Sequence, residues 1–172
     1  MNVGMKAVLI SIQPKWCEII VSGKKTIEVR KTRPKIETPF KCYIYMTATK
    51  ERCRFWEYIT AYQNSKGDIL DGSQKVIGEF VCDDIIVDER GENADVFSKY
   101  AQLSLVEQKK YGANKPLFGW HISELKIYDK PKELKEFGNY KIEWVEWYNS
   151  NDRVFCPITR PPQSWCYVEE LL

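Results

Sequence analysis

The stretch Ser22-Gly23-Lys24-Lys25-Thr26-Ile27-Glu28-Val29-Arg30-Lys31 decides how the chain is read. Just upstream, Pro14 suits the first turn of a helix, and Trp16, Ile19 and Ile20 recur at the spacing of one helical face. Gly23 then stops the helix. After Lys25 the period changes to two. Thr26-Ile27-Glu28-Val29-Arg30 alternates polar and apolar, which predicts a strand with Ile27 and Val29 inward. Thr26, Glu28 and Arg30 then share the other face, with Lys31 back on the first. If the polar face lines a cleft, Lys25 stands at its rim, followed by a carboxylate and a guanidinium. Two cations around one carboxylate can grip a phosphate, while the carboxylate takes a proton or accepts from a base edge. On an open face the same residues are only a cross-strand ion pair.

Outward from this stretch, strands outnumber helices. Val8–Ile12 reads as a first strand, Lys41–Thr47 as another with Cys42, Ile44 and Met46 on one face and Tyr43 and Tyr45 on the other. Val76–Val87 and Leu117–Tyr128 read as long strands, each with an internal glycine, Gly78 and Gly119, the mark of a bulge or close backbone approach. Glu51–Tyr62 is helix-compatible, with Phe55, Tyr58, Ile59 and Tyr62 on one stripe. Asn64–Gln74 is polar and turn-rich, so a loop is expected. Ala94–Tyr111 predicts one or two short helices and Lys132–Phe137 a helical turn. Trp144–Tyr148 and Val154–Ile158 are ambiguous, and Trp165–Val168 follows Pro161-Pro162 as a last strand. Helices placed unevenly between strands predict an α+β fold, a mixed barrel with helices around it, rather than a doubly wound parallel sheet.

Length and composition bound the rest. A chain of 172 residues makes one domain with a conventional core. Apolar runs such as Ile19-Ile20-Val21 are too short to span a membrane. The start shows no export signal, so a cytoplasmic location is expected. The formal net charge of +2 conceals an asymmetry: residues 1–60 hold 12 Lys+Arg against 5 Asp+Glu, and the remainder is net acidic. One face suited to a polyanion is one reading of this, and chance clustering of solvated charge the other.

The six cysteines, Cys17, Cys42, Cys53, Cys82, Cys156 and Cys166, show no C-x-x-C spacing, and His121 is the only histidine. A zinc site would need ligands gathered from distant segments, so free thiols, no metal and no cofactor are expected. Cys42 and Cys82 lie in strand-like runs and read as small buried hydrophobes.

Three elements in order carry a resemblance. Ser11-Ile12-Gln13-Pro14 precedes the helix; Gly23, Lys25, Glu28 and Arg30 fit a G-x-K-x-x-E-x-R pattern; and Lys75-Val76-Ile77-Gly78-Glu79-Phe80 follows. Together they resemble the ASCH domain of the PUA-like superfamily, small β-barrels with helices packed around them. The likeness runs over roughly residues 6–128, with Trp165–Val168 the closing strand, an insertion at 49–75 and a C-terminal extension at 129–164 within one domain over 1–172. The long form with its Arg160-Pro161-Pro162-Gln163-Ser164-Trp165 tail resembles members common in prophages and Gram-positive bacteria.

The resemblance implies binding of RNA or of a nucleoside or nucleotide in a cleft lined by the motif. Some relatives look like ribonucleases, and one branch removes the acetyl group from acetylated cytidine with a Lys, a Thr and a Glu. The Lys of that branch matches Lys25, but its Thr falls at Glu28, a departure that speaks against a Thr nucleophile and leaves open a Glu-activated water near Lys25. Glu92 and Glu107 are candidates for the second Glu. The ligand-binding candidates are therefore Lys24, Lys25, Glu28, Arg30, Trp16 and His121, with Lys25 and Glu28 catalytic if the protein is an enzyme. Lys31, Arg33 and Lys35 extend the basic run and can hold phosphates. Each has a plainer alternative: Trp16 as core packing, His121 as a hydrogen-bonded structural histidine, Tyr43 and Tyr45 as cover for a helix rather than a stacking platform, and Phe55, Trp56, Tyr58 and Tyr62 as packing for a local helix. Three function classes stay open: nucleic-acid or nucleoside binding, hydrolysis in the same cleft, and a protein-interaction scaffold.

Overall fold

A computed structural model describes residues 5–49, 60–146 and 150–171. Its spine is a five-stranded sheet in the order β12 (Trp165–Glu169), β1 (Lys6–Ile12), β3 (Phe40–Met46), β6 (Lys75–Cys82) and β9 (Ser123–Glu133). β1 and β3 are parallel, joined across helix α1 (Pro14–Val21) and strand β2 (Ile27–Arg30); the other pairs are antiparallel. Every residue of β1 after Lys6 is buried, which is why Ala7-Val8-Leu9-Ile10 reads as a continuous apolar run instead of alternating. One face of the sheet packs Val8, Ile10, Ile44, Met46 and Phe80 with Ile20 of α1 and Trp120. The other packs Leu9, Tyr43, Tyr45 and Val168 against Tyr128 and Phe137. Tyr43 and Tyr45 are thus core residues, not a stacking platform.

A second sheet, in the order β2, β8 (Leu117–His121), β7 (Ile85–Asp88), faces the first. The mixed barrel expected from the sequence is not closed: its strands form two hydrogen-bonded sheets around a shared core. Both long strands read from the sequence are broken where they turn from one sheet to the other. Val76–Val87 divides at Asp83-Asp84 and Leu117–Tyr128 at Ile122. The outer face of the small sheet is covered by α2 (Ala94–Tyr100), followed by α3 (Leu105–Gly112), with Ile27, Val29, Leu117, Phe97 and Ala101 making a satellite core. Ser104 and Glu107 form a capping box that starts α3.

The segment read as a loop after Asn64 contains β5 (Ile69–Asp71), which pairs with β4 (Ala61–Gln63) in a short hairpin. Asn64 closes its turn, accepting from Lys66 and Asp68 backbone N–H groups. Most of the expected helix Glu51–Tyr62, with Phe55, Trp56, Tyr58 and Cys53, lies outside the described residues, and Ala61 and Tyr62 are strand. The ambiguous segments near the C-terminus are a ribbon, β10 (Gly138–Val145) paired with β11 (Ser150–Pro157), and the expected turn is a 3-10 turn at Leu134–Glu136. Cys17, Cys42 and Cys82 are buried free thiols. Among the described residues no helix is long and apolar enough to cross a membrane.

Gly78 sits where β6 bends between two partners and its register shifts. A Cβ there would meet the Lys126 carbonyl oxygen at 2.5 Å, a contact backbone cannot relieve cheaply. Gly78→Ala is expected to lose about 1–3 kcal/mol of stability, read as a lower urea midpoint at unchanged m-value.

Candidate functional site

The site is built from the turn after α1. Gly23 lies at φ +74°, a backbone region that glycine enters without strain, and the chain reverses so that the Lys25 N–H returns to the Ile19 carbonyl at 3.1 Å. Thr26 N–H donates to the Tyr100 carbonyl at 2.8 Å, fixing the start of β2 against the end of α2. The alternation of β2 then operates as read, with one difference: both faces are buried. Ile27 and Val29 enter the satellite core, while Glu28 and Arg30 point to the side of Trp120, Glu28 lying opposite it across the β2–β8 pair. Lys25, Glu28 and Arg30 are only 2%, 5% and 7% exposed, so Lys25 is part of the floor rather than the rim.

These three residues form one chain of charge. Lys25 Nζ lies 3.3 Å from Glu28 Oε2, and Arg30 Nη2 lies 2.9 Å from Glu28 Oε1. Lys25 Nζ also donates to the Ala101 carbonyl at 2.7 Å, and Arg30 Nη2 to the Ser11 carbonyl at 2.7 Å. Buried charges persist only when paired and hydrogen-bonded, and here most of the demand is met. Among the described residues Arg30 Nε and Trp120 Nε1 here, and the Tyr62 hydroxyl elsewhere, are buried without a hydrogen-bond partner, while Glu28 Oε2 has only the Lys25 ammonium at 3.3 Å. Burial pushes the Lys25 pKa below its ordinary value, with Glu28 opposing the shift. Burial also raises the Tyr111 hydroxyl and, more strongly, the Cys17 thiol.

Lys25, Glu28 and Arg30 line a cleft of about 590 Å³ whose walls include Gln13 and Trp16, the α3 residues Glu107, Lys110 and Tyr111, and Gln163. Trp16 packs partly on the core and presents its ring to Lys15 and Lys25, whose ammonium groups lie 4.4 and 5.0 Å from its centroid. It therefore packs on the core and also lines the cleft. Lys31 follows the last residue of β2 and also lines the cleft, 4.8 Å over the Tyr111 ring, so strand alternation does not remove it from the site.

Other candidates are set apart. Lys24 is exposed and does not line the cleft. His121 pairs with Ile27 and shares its face, opposite that of Glu28; its Nδ1 lies 2.6 Å from Asp83 Oδ1. The space left by neighbouring Gly119 is filled by Phe97 and Ile27, not by a ligand path. Of the two candidate second carboxylates, Glu107 borders the cleft, where it caps α3 and pairs with Lys15 at 3.7 Å. Glu92 is exposed in the loop before α2, accepting from the Arg90 N–H. Sequence reading had no signal for Tyr111, Lys110 or Gln163, which reach the cleft only through tertiary packing.

Two sheets around one core, with helices packed on them and a buried lysine–carboxylate–arginine chain, make this an α+β domain. The family model for the ASCH domain matches residues 10–148, most of the chain, and the chain belongs to that family. The family's fold is one associated with RNA binding. The crystal structure of ASCH from Zymomonas mobilis is similar with a TM-score of 0.60 at 19% identity, over 95% of this chain and 88% of that one. A single-residue variant of that protein gives a TM-score of 0.57 at 19% identity, over 96% and 92% of the two chains. A search of curated proteins finds no match.

Two outcomes follow from the buried charges. Glu28→Ala leaves two buried cations without their carboxylate and is expected to cost about 3–5 kcal/mol of stability in urea unfolding. Because folding lowers the Lys25 pKa, the unfolded chain holds that proton to higher pH than the native one. Stability from this group therefore rises as pH climbs from the lowered value to the ordinary one of 10.5. The stability difference between wild type and Lys25→Met is expected to grow in favour of wild type across that window; a pH-independent difference contradicts it.

Proposed function

We propose that the cleft binds RNA or a nucleoside or nucleotide, modified ones included. The observation that carries this reading is the buried Glu28 held between two buried cations on the cleft floor, with Arg30 Nε lacking a hydrogen-bond partner. Four cations, Lys25, Arg30, Lys31 and Lys110, and two carboxylates, Glu28 and Glu107, line the cleft, a balance that favours an anion. Trp16 and Tyr111 offer aromatic faces for a base, and the exposed amides of Gln13 and Gln163 offer both donors and acceptors for its edge.

The test is calorimetric titration with nucleosides, nucleotides and short RNAs across a salt series. Lys31→Ala and Lys110→Ala are each expected to lower the slope of log K against log salt by about one. Trp16→Leu is expected to weaken binding by about 1–3 kcal/mol at every salt concentration. Lys135→Ala, on the 3-10 turn, serves as the comparison. Indistinguishable behaviour of all four variants contradicts the proposal.

The lowered Lys25 pKa beside a carboxylate supports a second reading, hydrolysis in the same cleft, on acetylated cytidine or on RNA. Glu28 would take a proton from an attacking water, and Lys25 would supply one to the leaving group. Glu28→Gln is then expected to lower turnover about 10²–10⁴-fold while retaining binding. Absence of turnover in the wild type leaves binding as the function.

A further inference from the structure

Among the described residues, β10 and β11 pair as strands only with each other, so their ribbon has two outer edges. The edges differ. At the base of the ribbon the Ile158 N–H returns to the Phe137 carbonyl at 2.7 Å, whereas the Tyr140 N–H donates away from β11, to Glu169 Oε1 at 3.1 Å. Backbone groups alternate sides along a strand, so Ile142 and Trp144 also direct their N–H and C=O groups away from β11. Those groups have no hydrogen-bond partner among the described residues. On β11 the outward N–H of Arg153, opposite Ile142, is already taken by the Asp152 carboxylate at 2.7 Å. The edge open to another strand is therefore that of β10.

The side chains of β10 suit such a contact. Tyr140, Ile142 and Trp144 share one face and are 44%, 73% and 58% exposed, a continuous apolar stripe of the kind that marks an interaction surface. Tyr140 is held in place by the Phe155 ring, centroids 5.2 Å apart, and by the Arg153 guanidinium 4.2 Å over its own ring. Lys141 and Glu143 are exposed between the members of the stripe, on the other face. Aromatic, cation, aliphatic, anion, aromatic is an order that complements itself when the strand is turned antiparallel about Ile142. Lys141 then stands opposite Glu143 of a second copy, Tyr140 opposite Trp144, and Ile142 opposite Ile142. A two-fold axis makes the first two contacts twice. Moving the axis by one residue sets Lys141 against Lys141 or Glu143 against Glu143, so the charges select one register.

We propose that the outer edge of β10 is a self-association site, at which two copies of this chain join their ribbons into one four-stranded antiparallel sheet with its axis at Ile142. The Ile142 backbone groups of the two copies bond each other, and each Trp144 N–H reaches the Tyr140 carbonyl of the other copy. A contact this short fits a weak, concentration-dependent dimer rather than an obligate one. The proposal is independent of what the cleft binds.

The experiment is sedimentation velocity of the full chain over a concentration series at low ionic strength, where surface charge pairs are least screened. Wild type is expected to pass reversibly from monomer to dimer. Lys141→Glu and Glu143→Lys each turn both symmetry-related pairs repulsive and are expected to weaken the dimer about tenfold or more. An equimolar mixture of these two variants is expected to associate again, because each strand then carries the sign that the other lacks. The double variant Lys141→Glu/Glu143→Lys is expected to dimerise like wild type. All the substituted side chains are exposed, so the fold is retained. A wild type that stays monomeric at every concentration, single variants that dimerise like it, or a mixture that stays monomeric each overturns the proposal. A monomer whose RNA affinity falls in Trp144→Ser assigns the stripe to a nucleic acid and overturns it as well.

Discussion

A carboxylate sealed between two cations is the constraint on which the rest of this structure depends. Glu28 lies on a strand with no solvent face, because Ile27 and Val29 are already committed to the satellite core under α2. Its charge is tenable only with Lys25 and Arg30 beside it, and each of those needs a further oxygen. Lys25 finds one at Ala101, after α2, and Arg30 finds one at Ser11, in β1. One ionic chain thus fixes the small sheet, the large sheet and the helical layer relative to one another. A hydrophobic trio of similar volume would avoid the desolvation cost, but it would also leave the cleft floor without charge.

The sequence revealed the elements better than their grouping. β1, α1, β2, β3 and β12 stand close to where periodicity places them, since each is either doubly buried or strictly alternating. The breaks at Asp83-Asp84 and Ile122 were missed because a strand that bends between sheets keeps its apolar content while changing partners. The motif residues were legible as a charged cluster, but their burial was not, since alternation says which residues share a face and not what covers it. His121 was the reverse case. Its chemistry invited a role, and its register opposite Ile27 placed it on the wrong side. The β10–β11 ribbon has an alternating stripe, Tyr140, Ile142 and Trp144, whose side chains are exposed, so its period marks a strand without marking a core face.

The cleft walls belong to different layers. Trp16 comes from α1, Tyr111 and Lys110 from α3, and Gln163 from the segment before β12. The floor is rigid because it is ionic and enclosed, while the rim is drawn from a helix and loops whose side chains are partly exposed. Such a division suits a domain that keeps one fold while its rim residues change, and a likeness in fold at 19% identity is in keeping with it.

The hydrogen bonds of Ser11 to Pro162 and Ser164 join positions far apart in the chain, one of them across 151 residues. Contacts of such sequence separation are the last to repay their loop-closure entropy, so they slow folding. During synthesis the Arg30 side of the site waits, half-built, until β12 leaves the ribosome and docks beside β1. Until then Arg30 and Glu28 face a sheet edge that has not been covered. The helical layer over the small sheet is thus built from nearby sequence, and the finished cleft waits on the most distant contact.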